Sequence, residues 1–255
     1  MDVGSLKIIV TGAASGMGRD FAKHLAAEGA QVAACDLNEE GLASLKAETA
    51  DLPGKVITLM ADVSNEADVV KLINDAHAQL GGLNGLINNA GIFRDSLLVK
   101  QDKATGEIQR MSLKNWQKVL DVDLTGPFLC TREFAAKCIE TKTKSSVVIN
   151  ISSISRHGNM GQGNYSAAKA GLVADTKLWA SELARFGIRL GAIAPGFVDT
   201  PILQGMRPEV LDKMLSAVPL RRAGSPREIW LGVKFIVECD YFTGKCLDID
   251  GGLVL

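Results

Sequence analysis

Short apolar runs alternate along this chain with longer segments in which apolar residues recur every three or four positions. The short runs are rich in Val, Ile and Leu and are bounded by residues typical of turns, so they predict β-strands. They lie at residues 6–10, 31–35, 56–60, 83–87, 147–151, 188–193 and 246–249. The helical spacing predicts helices at residues 16–28, 39–49, 66–79, 113–139, 164–186 and 226–237.

This alternation of strands and helices is typical of a parallel sheet with helices on both faces. Because crossovers between parallel strands are right-handed, the order predicts a doubly wound, seven-stranded sheet. The fold class is therefore α/β, a Rossmann fold built as one domain over residues 1–255. Residues 100–110, which are polar with a glycine turn, predict a surface excursion. Residues 200–219, with a short amphipathic piece at 208–215, predict a substrate lid.

The composition argues against several classes of partner. The 28 basic residues nearly balance the 29 acidic residues, so no charge excess points to nucleic acid or to an anionic membrane. The chain reaches its first strand without a signal sequence and has no apolar stretch long enough to span a bilayer, so we expect a cytoplasmic protein. Its five cysteines lack paired spacing, which disfavours a disulfide framework and a metal site. We expect them to be small buried side chains.

A glycine-rich turn follows the first predicted strand and opens the first predicted helix. Residues 11–18 read Thr-Gly-Ala-Ala-Ser-Gly-Met-Gly. Gly12 permits a tight turn, Gly16 lets the main chain approach a pyrophosphate, and Gly18 permits close packing of the helix. The free N–H groups at the helix start, near Ser15 and Met17, attract phosphate charge. The turn predicts a dinucleotide site, and the alternative is an ordinary glycine-rich turn.

Asp36 ends the second predicted strand, about 20 residues beyond the glycine-rich turn. A carboxylate there accepts hydrogen bonds from both ribose hydroxyls of the adenosine half, and it repels a 2′-phosphate. Neither Ser15 nor Leu37 supplies a compensating cation. The sequence therefore predicts NAD(H) rather than NADP(H), with Leu37 beside Asp36 in the site. The alternative role for Asp36 is a cap for the helix that begins near Asn38.

Four motifs in order resemble those of the short-chain dehydrogenase/reductase family. They are the glycine-rich turn, Asn88-Asn89-Ala90-Gly91, Tyr165-Ser166-Ala167-Ala168-Lys169 and Pro195-Gly196. Each follows the expected strand or lies in the expected helix, and together they cover essentially the whole chain. The resemblance implies an enzyme that interconverts a secondary alcohol and a ketone by hydride transfer with a nicotinamide cofactor.

The resemblance also assigns residues to the cofactor. It places Asp62 and Val63 beside the adenine, and Val198 and Thr200 at the nicotinamide carboxamide. The other positions that it assigns to the cofactor are Asn89, Ala90, Gly91, Tyr165, Lys169, Pro195 and Gly196. Plain alternatives remain open: Asp62 as a helix cap, Asn89 as a turn former and Thr200 as a lid cap.

Tyr165 is the catalytic acid/base that the resemblance implies. A free tyrosine has a pKa near 10, so a cation has to favour the phenolate if it is to act at neutral pH. Lys169 follows four residues later, on the same helical face. The resemblance adds a hydrogen bond from Lys169 to the nicotinamide ribose and assigns Ser152 to polarise the substrate oxygen. Ser153 competes with Ser152 for that role.

Asp123 departs from the family pattern, because the family usually has an asparagine in the string that reads Val122-Asp123-Leu124-Thr125-Gly126 here. In the family the main-chain carbonyl of that residue holds a water of a proton relay to the lysine. Asp123 is therefore a candidate relay member whose carboxylate raises the lysine pKa, and the alternative is a purely structural role. His157 lies between Ser152 and Tyr165 and either faces the substrate or is simply solvated.

Three interpretations compete for the function. A 3-oxoacyl-(acyl-carrier-protein) reductase is the alternative within the family, with Lys142, Lys144 and Arg185 as a basic rim for the carrier protein. A dinucleotide-binding sensor without turnover is disfavoured because both Tyr165 and Lys169 are present. The resemblance further implies a homotetramer. The apolar residues expected on its contact helices are Phe128, Phe134, Leu172, Leu178 and Trp179.

Overall fold

The structure is a computed structural model that describes residues 1–205 and 207–253. Seven strands form one parallel sheet in the order β3-β2-β1-β4-β7-β8-β9. Their bounds are β1 Lys7–Thr11, β2 Gln31–Asp36, β3 Lys55–Met60, β4 Gly85–Asn88, β7 Ser146–Ile151, β8 Ile188–Pro195 and β9 Lys245–Ile249. The predicted α/β, single-domain, doubly wound fold is confirmed.

Helices cover both faces of this sheet. They are α1 Gly16–Ala27, α2 Glu39–Glu48, α3 Glu66–Leu80, α4 Leu113–Leu120, α5 Gly126–Glu140, α6 Gly163–Leu183, α7 Pro201–Gln204, α8 Pro208–Ser216 and α9 Pro226–Glu238. Alternation along β1 explains the two layers, since Ile8 and Val10 pack into one apolar cluster while Ile9 packs into the other. In the part of the chain that the structure describes, no helix is both long and apolar enough to cross a membrane.

The polar segment before α4, predicted as a surface excursion, is an exposed β-hairpin. Strands β5 Val99–Gln101 and β6 Ile108–Arg110 pair antiparallel. The turn between them contains Gly106 at φ 74°, a conformation that favours glycine. Asp102 Oδ1 accepts hydrogen bonds from the main chain of Ala104 and Thr105, 2.9 Å each, which closes the turn.

The predicted helix over residues 113–139 is interrupted, which corrects the sequence interpretation. Residues Asp121–Thr125 form a π-helical segment between α4 and α5. Pro127, the second residue of α5, has no N–H to donate to the carbonyl of Asp123 four residues earlier. The N–H of Gly126 bonds instead to the carbonyl of Asp121, five residues back. Pro127 is therefore the sequence signal for this interruption.

Two residues expected on the contact helices belong to the core instead. Phe134 and Leu172 are both fully buried, because their helices turn those side chains towards the sheet. Phe128 and Leu178 remain on the surface, 40% and 54% exposed. The available apolar face is therefore smaller than the sequence indicated. The five cysteines are free thiols, with Cys35, Cys130 and Cys138 buried as expected.

The topology fixes where a ligand can bind. β1 and β4 are neighbours, although two strands separate them along the chain. The chain winds outward in one direction from β1 to β3 and in the other direction from β4 to β9. A crevice opens at the carboxyl ends of the strands at such a switch point.

Candidate functional site

A cavity of 640 Å³ opens at the carboxyl edge of the sheet. Its wall comes from the ends of all the strands near the switch point and from α6 and α7. The predicted site residues that line it are Gly12, Ser15, Gly16, Met17, Asp36, Leu37, Asp62, Val63, Asn89, Ala90, Gly91, Ser152, Tyr165, Lys169, Pro195, Gly196, Val198 and Thr200. Gly18 and Asp123 do not line the cavity and act from behind its wall.

The glycine-rich turn adopts the geometry that its sequence predicts. Gly12 and Gly16 have φ values of 65° and 54°, in the left-handed region that glycine tolerates best. Gly18 packs inward, since a Cβ there would lie 2.2 Å from the carbonyl oxygen of Gly12. Ser15 is the N-cap of α1, and its side chain makes no capping hydrogen bond. The start of α1 therefore presents main-chain donors and a hydroxyl to the cavity.

Asn89 ties the ends of β1 and β4 together. Its Nδ2 donates to the carbonyls of Thr11 at 3.0 Å and Gly12 at 3.2 Å. The N–H groups of Asn89 and Ala90 donate to the Thr11 hydroxyl, at 3.0 and 3.1 Å. The amide therefore fixes the glycine-rich turn against the next wall of the cavity, which goes beyond the role of a turn former. Gly91 follows at the cavity surface.

Asp36 ends β2 at the cavity rim. Its Oδ2 accepts from the N–H of Ala14 at 2.9 Å, and its Oδ1 accepts from Leu37 and Asn38 at 2.7 and 3.0 Å. These bonds hold the carboxylate at the start of α1. The cap of α2 is Asn38, which accepts from the N–H of Gly41, so Asp36 does not serve as that cap.

Asp62 lines the cavity just after β3, whose last residue, Met60, pairs with Asp36. Its Oδ1 accepts from both the hydroxyl and the N–H of Ser64, at 2.6 and 2.9 Å, and these bonds hold the pKa of the carboxyl below its usual range. The cap of α3 is Asn65. Thr200 precedes α7 and makes no side-chain cap either, so its hydroxyl is available to the cavity.

Tyr165 and Lys169 lie together in the cavity wall. Both are buried on α6, and the Lys169 Nζ lies 5.4 Å from the centre of the Tyr165 ring. The ring of Phe93, from the segment after β4, packs on Tyr165 with the ring centres 4.6 Å apart. Lys169 Nζ donates to the carbonyl of Ile151 at 3.0 Å. The phenol is therefore held in place by an aromatic ring and an anchored ammonium.

Burial and charge act in opposite directions on this pair. Burial raises the pKa of Tyr165, the Lys169 ammonium lowers it and the Asp123 carboxylate raises it, and the resulting pKa is above the ordinary value. Burial lowers the pKa of Lys169, but Asp123 and Tyr165 outweigh burial and raise it. The protein alone therefore keeps both groups protonated at neutral pH.

The two adjacent serines have different surroundings. The Ser152 hydroxyl is 2% exposed and donates to the main-chain carbonyl of Lys169 at 2.9 Å. The Ser153 hydroxyl accepts from the N–H of Ser155 at 3.1 Å, which leaves its own proton free. Hydrogen bonding between Ser153 and the Tyr165 phenol acts to lower the tyrosine pKa. The Ser152 hydroxyl is therefore engaged by the backbone of α6, whereas Ser153, the alternative, is the serine that affects the pKa of Tyr165.

Sequence reasoning missed other residues of the wall. They include Ile92, Phe93, Arg94, Lys118, Asn159, Gln162 and Phe197, while Leu203 and Met214, which also line the cavity, fall within the predicted lid. Phe93 follows the Asn-Asn-Ala-Gly string directly, so its position was readable, but no pattern showed that its ring packs on Tyr165. His157 is exposed and does not line the cavity, whereas Ile154 does.

The expected basic rim lies on the opposite side of the molecule. Lys142 and Lys144 immediately precede β7, and Arg185 precedes β8, so all three lie at the amino edge of the parallel sheet. The cavity opens at the carboxyl edge. These three cations therefore do not flank its mouth, because residues before parallel strands and residues after them occupy opposite edges.

Comparisons with known proteins agree with this geometry. A family described as "Enoyl-(Acyl carrier protein) reductase" matches residues 12–254. The chain is 38% identical to the 3-oxoacyl-(acyl-carrier-protein) reductase of Thermotoga maritima over 250 residues, 97% of each chain. It is 37% identical to a (3R)-3-hydroxyacyl-CoA dehydrogenase of Mus musculus, over 97% of this chain and 95% of that protein. The crystal structure of levodione reductase is similar with a TM-score of 0.83 and 33% identity, over 96% of each chain.

Proposed function

Because the chain belongs to the short-chain dehydrogenase/reductase family and is an oxidoreductase acting on CH–OH groups, we propose that it interconverts a secondary alcohol and a ketone with NAD(H), using Tyr165 as the acid/base. The observation that carries the proposal is the buried pair of Tyr165 and Lys169 in the wall of the cavity that the glycine-rich turn also lines. Binding of the cofactor without turnover does not require a buried phenol with an ammonium beside it, whereas proton transfer does.

The residues of the cavity fit a nicotinamide dinucleotide. Gly12 and Gly16 open a cradle at the start of α1, where a pyrophosphate meets main-chain donors. Asp62 and Val63 line the wall for the adenine, while Val198 and Thr200 line the opposite end. Ser15, Met17, Leu37, Ala90, Pro195 and Gly196 complete the floor and the walls. When bound, the nicotinamide supplies or accepts the hydride.

The protein's own part of the reaction is the handling of one proton. In the reducing direction the phenol of Tyr165 donates its proton to the carbonyl oxygen as negative charge develops there. The Ser153 hydroxyl donates a hydrogen bond to the same oxygen, and the Lys169 ammonium stabilises the phenolate that remains. Alcohol oxidation reverses these transfers. We assign the polarising role to Ser153 and a structural role to Ser152, because only Ser153 is free to donate towards Tyr165.

Asp36 supports NAD(H) over NADP(H). The carboxylate is fixed at the rim by three main-chain donors, so it cannot turn away from a 2′-phosphate without losing those bonds. Arg19 contacts the same turn as Asp36, but its guanidinium is occupied, because it donates to the carbonyls of Ala14 and Gly41 and pairs with Glu48. Arg19 is therefore not free to neutralise a 2′-phosphate.

A second candidate is reduction of a 3-oxoacyl group on an acyl carrier protein. It is favoured by the names of relatives that are 38% identical over nearly the whole chain. In this case Arg94 and Lys118, which line the cavity, replace the predicted rim as the cations available to the carrier-bound substrate.

We also propose that the protein forms a homotetramer, with the exposed Phe128 and Leu178 in its contacts. Residues 200–219 are proposed to form a lid over the substrate. A cytoplasmic location is proposed as well.

The proposed function is tested with a panel of secondary alcohols and ketones, followed by absorbance of the reduced nicotinamide. We expect turnover with NAD⁺ and NADH and weak turnover with the phosphorylated cofactors. Lys169→Ala should lose turnover, while Lys177→Ala, which alters an exposed lysine on the same helix, should keep it. A 3-oxoacyl thioester on a carrier protein, assayed beside the free ketones, separates the two candidates. Turnover that survives Lys169→Ala would contradict the proposal.

A further inference from the structure

Asp123 is a carboxylate buried behind the cavity wall. It lies in the π-helical segment, and its side chain is completely shielded from solvent. Its Oδ1 accepts from the N–H of Ile92 at 2.9 Å, and its Oδ2 lies 3.3 Å from the Nζ of Lys169. Oδ2 has no partner with hydrogen-bond geometry. A buried carboxylate of this kind needs a counter-charge, and Lys169 is the cation beside it.

Gly91 leaves space for the contact between Asp123 and Lys169. A Cβ on Gly91 would lie 2.8 Å from Asp123 Oδ2 and 3.5 Å from Lys169 Nζ. The close approach of the carboxylate, the ammonium and the cavity floor therefore depends on glycine at position 91. Pro127 contributes by interrupting the helix at this point, which sets the local backbone of Asp123.

We propose that Asp123 is a positioning residue whose carboxylate anchors the Lys169 ammonium and opposes the charge of the Tyr165 phenolate, so that Tyr165 gives up its proton only at higher pH than an uncharged residue at position 123 would allow. The inference rests on the proposed function, since it concerns the same acid/base. It goes beyond that function by assigning a pH dependence to one carboxylate. A merely structural Asp123 would leave that pH dependence unchanged.

Other charged groups around the phenol do not account for the opposition to ionisation of Tyr165. Lys169 favours the phenolate, and Asp95, on the segment after β4, opposes it less strongly than Asp123 does. Lys118, from α4, pairs with Asp62, with Nζ 4.0 Å from Oδ2. Arg156, on the turn before α6, pairs with Asp248 at 2.7 Å. Asp123 is therefore the negative charge that acts most strongly on Tyr165.

Arg94 and His157 are two further charged or titratable groups on the segments after β4 and β7. Arg94 lines the cavity and donates to the main-chain carbonyl of Phe93. His157 is exposed on the turn before α6. Neither is among the groups that shift the pKa of Tyr165.

The sign of the effect follows from the charges. The negative charge of ionised Asp123 makes it harder to remove a proton from Tyr165 or Lys169. Asp123 therefore raises the pKa of both residues. Asn at position 123 keeps the size and the acceptor for Ile92 but removes the charge. The first proton of the coupled pair should then leave at a lower pH, by about one unit, which is the usual scale for one nearby charge.

The chain offers a direct optical test that needs neither cofactor nor substrate. It contains two tyrosines, and Tyr241 is fully exposed, so Tyr241→Phe leaves Tyr165 as the single phenol. In that background the near-ultraviolet absorbance of tyrosinate reports the ionisation of Tyr165 alone. Asp123→Asn should move its midpoint down by about one pH unit. The matched control is Asp121→Asn, in the same π-helical segment, which should leave the midpoint unchanged.

Circular dichroism across the titration shows whether each variant stays folded. If Asp123→Asn does not fold, Asp123→Ser in the same background provides the same comparison without the charge. A midpoint that stays in place or rises in the folded variant overturns the inference. The pH profile of kcat/KM for alcohol oxidation should shift in parallel. If the optical midpoint moves and no substrate is turned over, the proposed function fails and the inference about Asp123 stands.

Discussion

Replacing Ser153 by alanine should impair the chemical step far more than replacing its neighbour Ser152. The Ser153 hydroxyl is 9% exposed, accepts from Ser155 and keeps its own proton free beside Tyr165. Removing one preorganised donor to a developing oxyanion costs about 10²–10³ in kcat, or about 2.7–4 kcal/mol. We expect Ser153→Ala to fall in that range with little change in cofactor affinity.

Ser152→Ala is the matched control for this prediction. Its hydroxyl donates at 2.9 Å to the carbonyl of Lys169, so its loss should appear as about 1 kcal/mol of folding stability, with kcat close to that of the parent. Both variants are assayed with the same ketone, and their stabilities are compared by urea unfolding. A crippled Ser152→Ala together with a nearly normal Ser153→Ala would refute the assignment and restore Ser152 to the role that the sequence first suggested.

Three further predictions concern the cofactor and the fold. Asp36→Asn removes the charge at the adenosine end and should raise the kcat/KM ratio of NADPH to NADH by about tenfold or more, about 1.4 kcal/mol, as measured by steady-state kinetics; an unchanged ratio would show that Asp36 does not discriminate. Gly18→Ala places a Cβ 2.2 Å from the carbonyl oxygen of Gly12 and should abolish NADH binding in a fluorescence titration, whereas normal affinity would contradict the packing role. Ser225→Ala breaks the capping box with Glu228 at the start of α9 and should cost about 1 kcal/mol in urea unfolding, with no loss if the cap is dispensable.

The sheet was predictable because its strands are buried on both faces. Residues 147–151 are apolar except for the buried Asn150, and the observed strand Ser146–Ile151 begins one residue earlier. The hairpin of β5 and β6 was not predictable, since both strands are short and their residues are exposed. Its pairing depends on the turn at Gly106. The π-helical segment had a signal in Pro127, which the helical periodicity concealed.

The site was predictable where the spacing within one motif sets the relative positions of its residues. The glycine-rich turn and the pair of Tyr165 and Lys169 are examples. It was less predictable where two neighbours compete. Ser152 and Ser153 are adjacent in the chain, and the turn after β7 decides which hydroxyl faces the phenol. Likewise, sequence identified Asp123 as a departure, but only the structure shows that its carboxylate contacts Lys169.

The central claim is that Tyr165 transfers the proton, and it is tested most directly by kcat for ketone reduction by Tyr165→Phe. The phenyl ring keeps the packing on Phe93, so NADH binding should persist while kcat falls by about 10²–10⁴. Tyr241→Phe, which alters the exposed tyrosine, should have the kcat of the parent. A Tyr165→Phe variant that reduces ketones as fast as the parent would contradict the account.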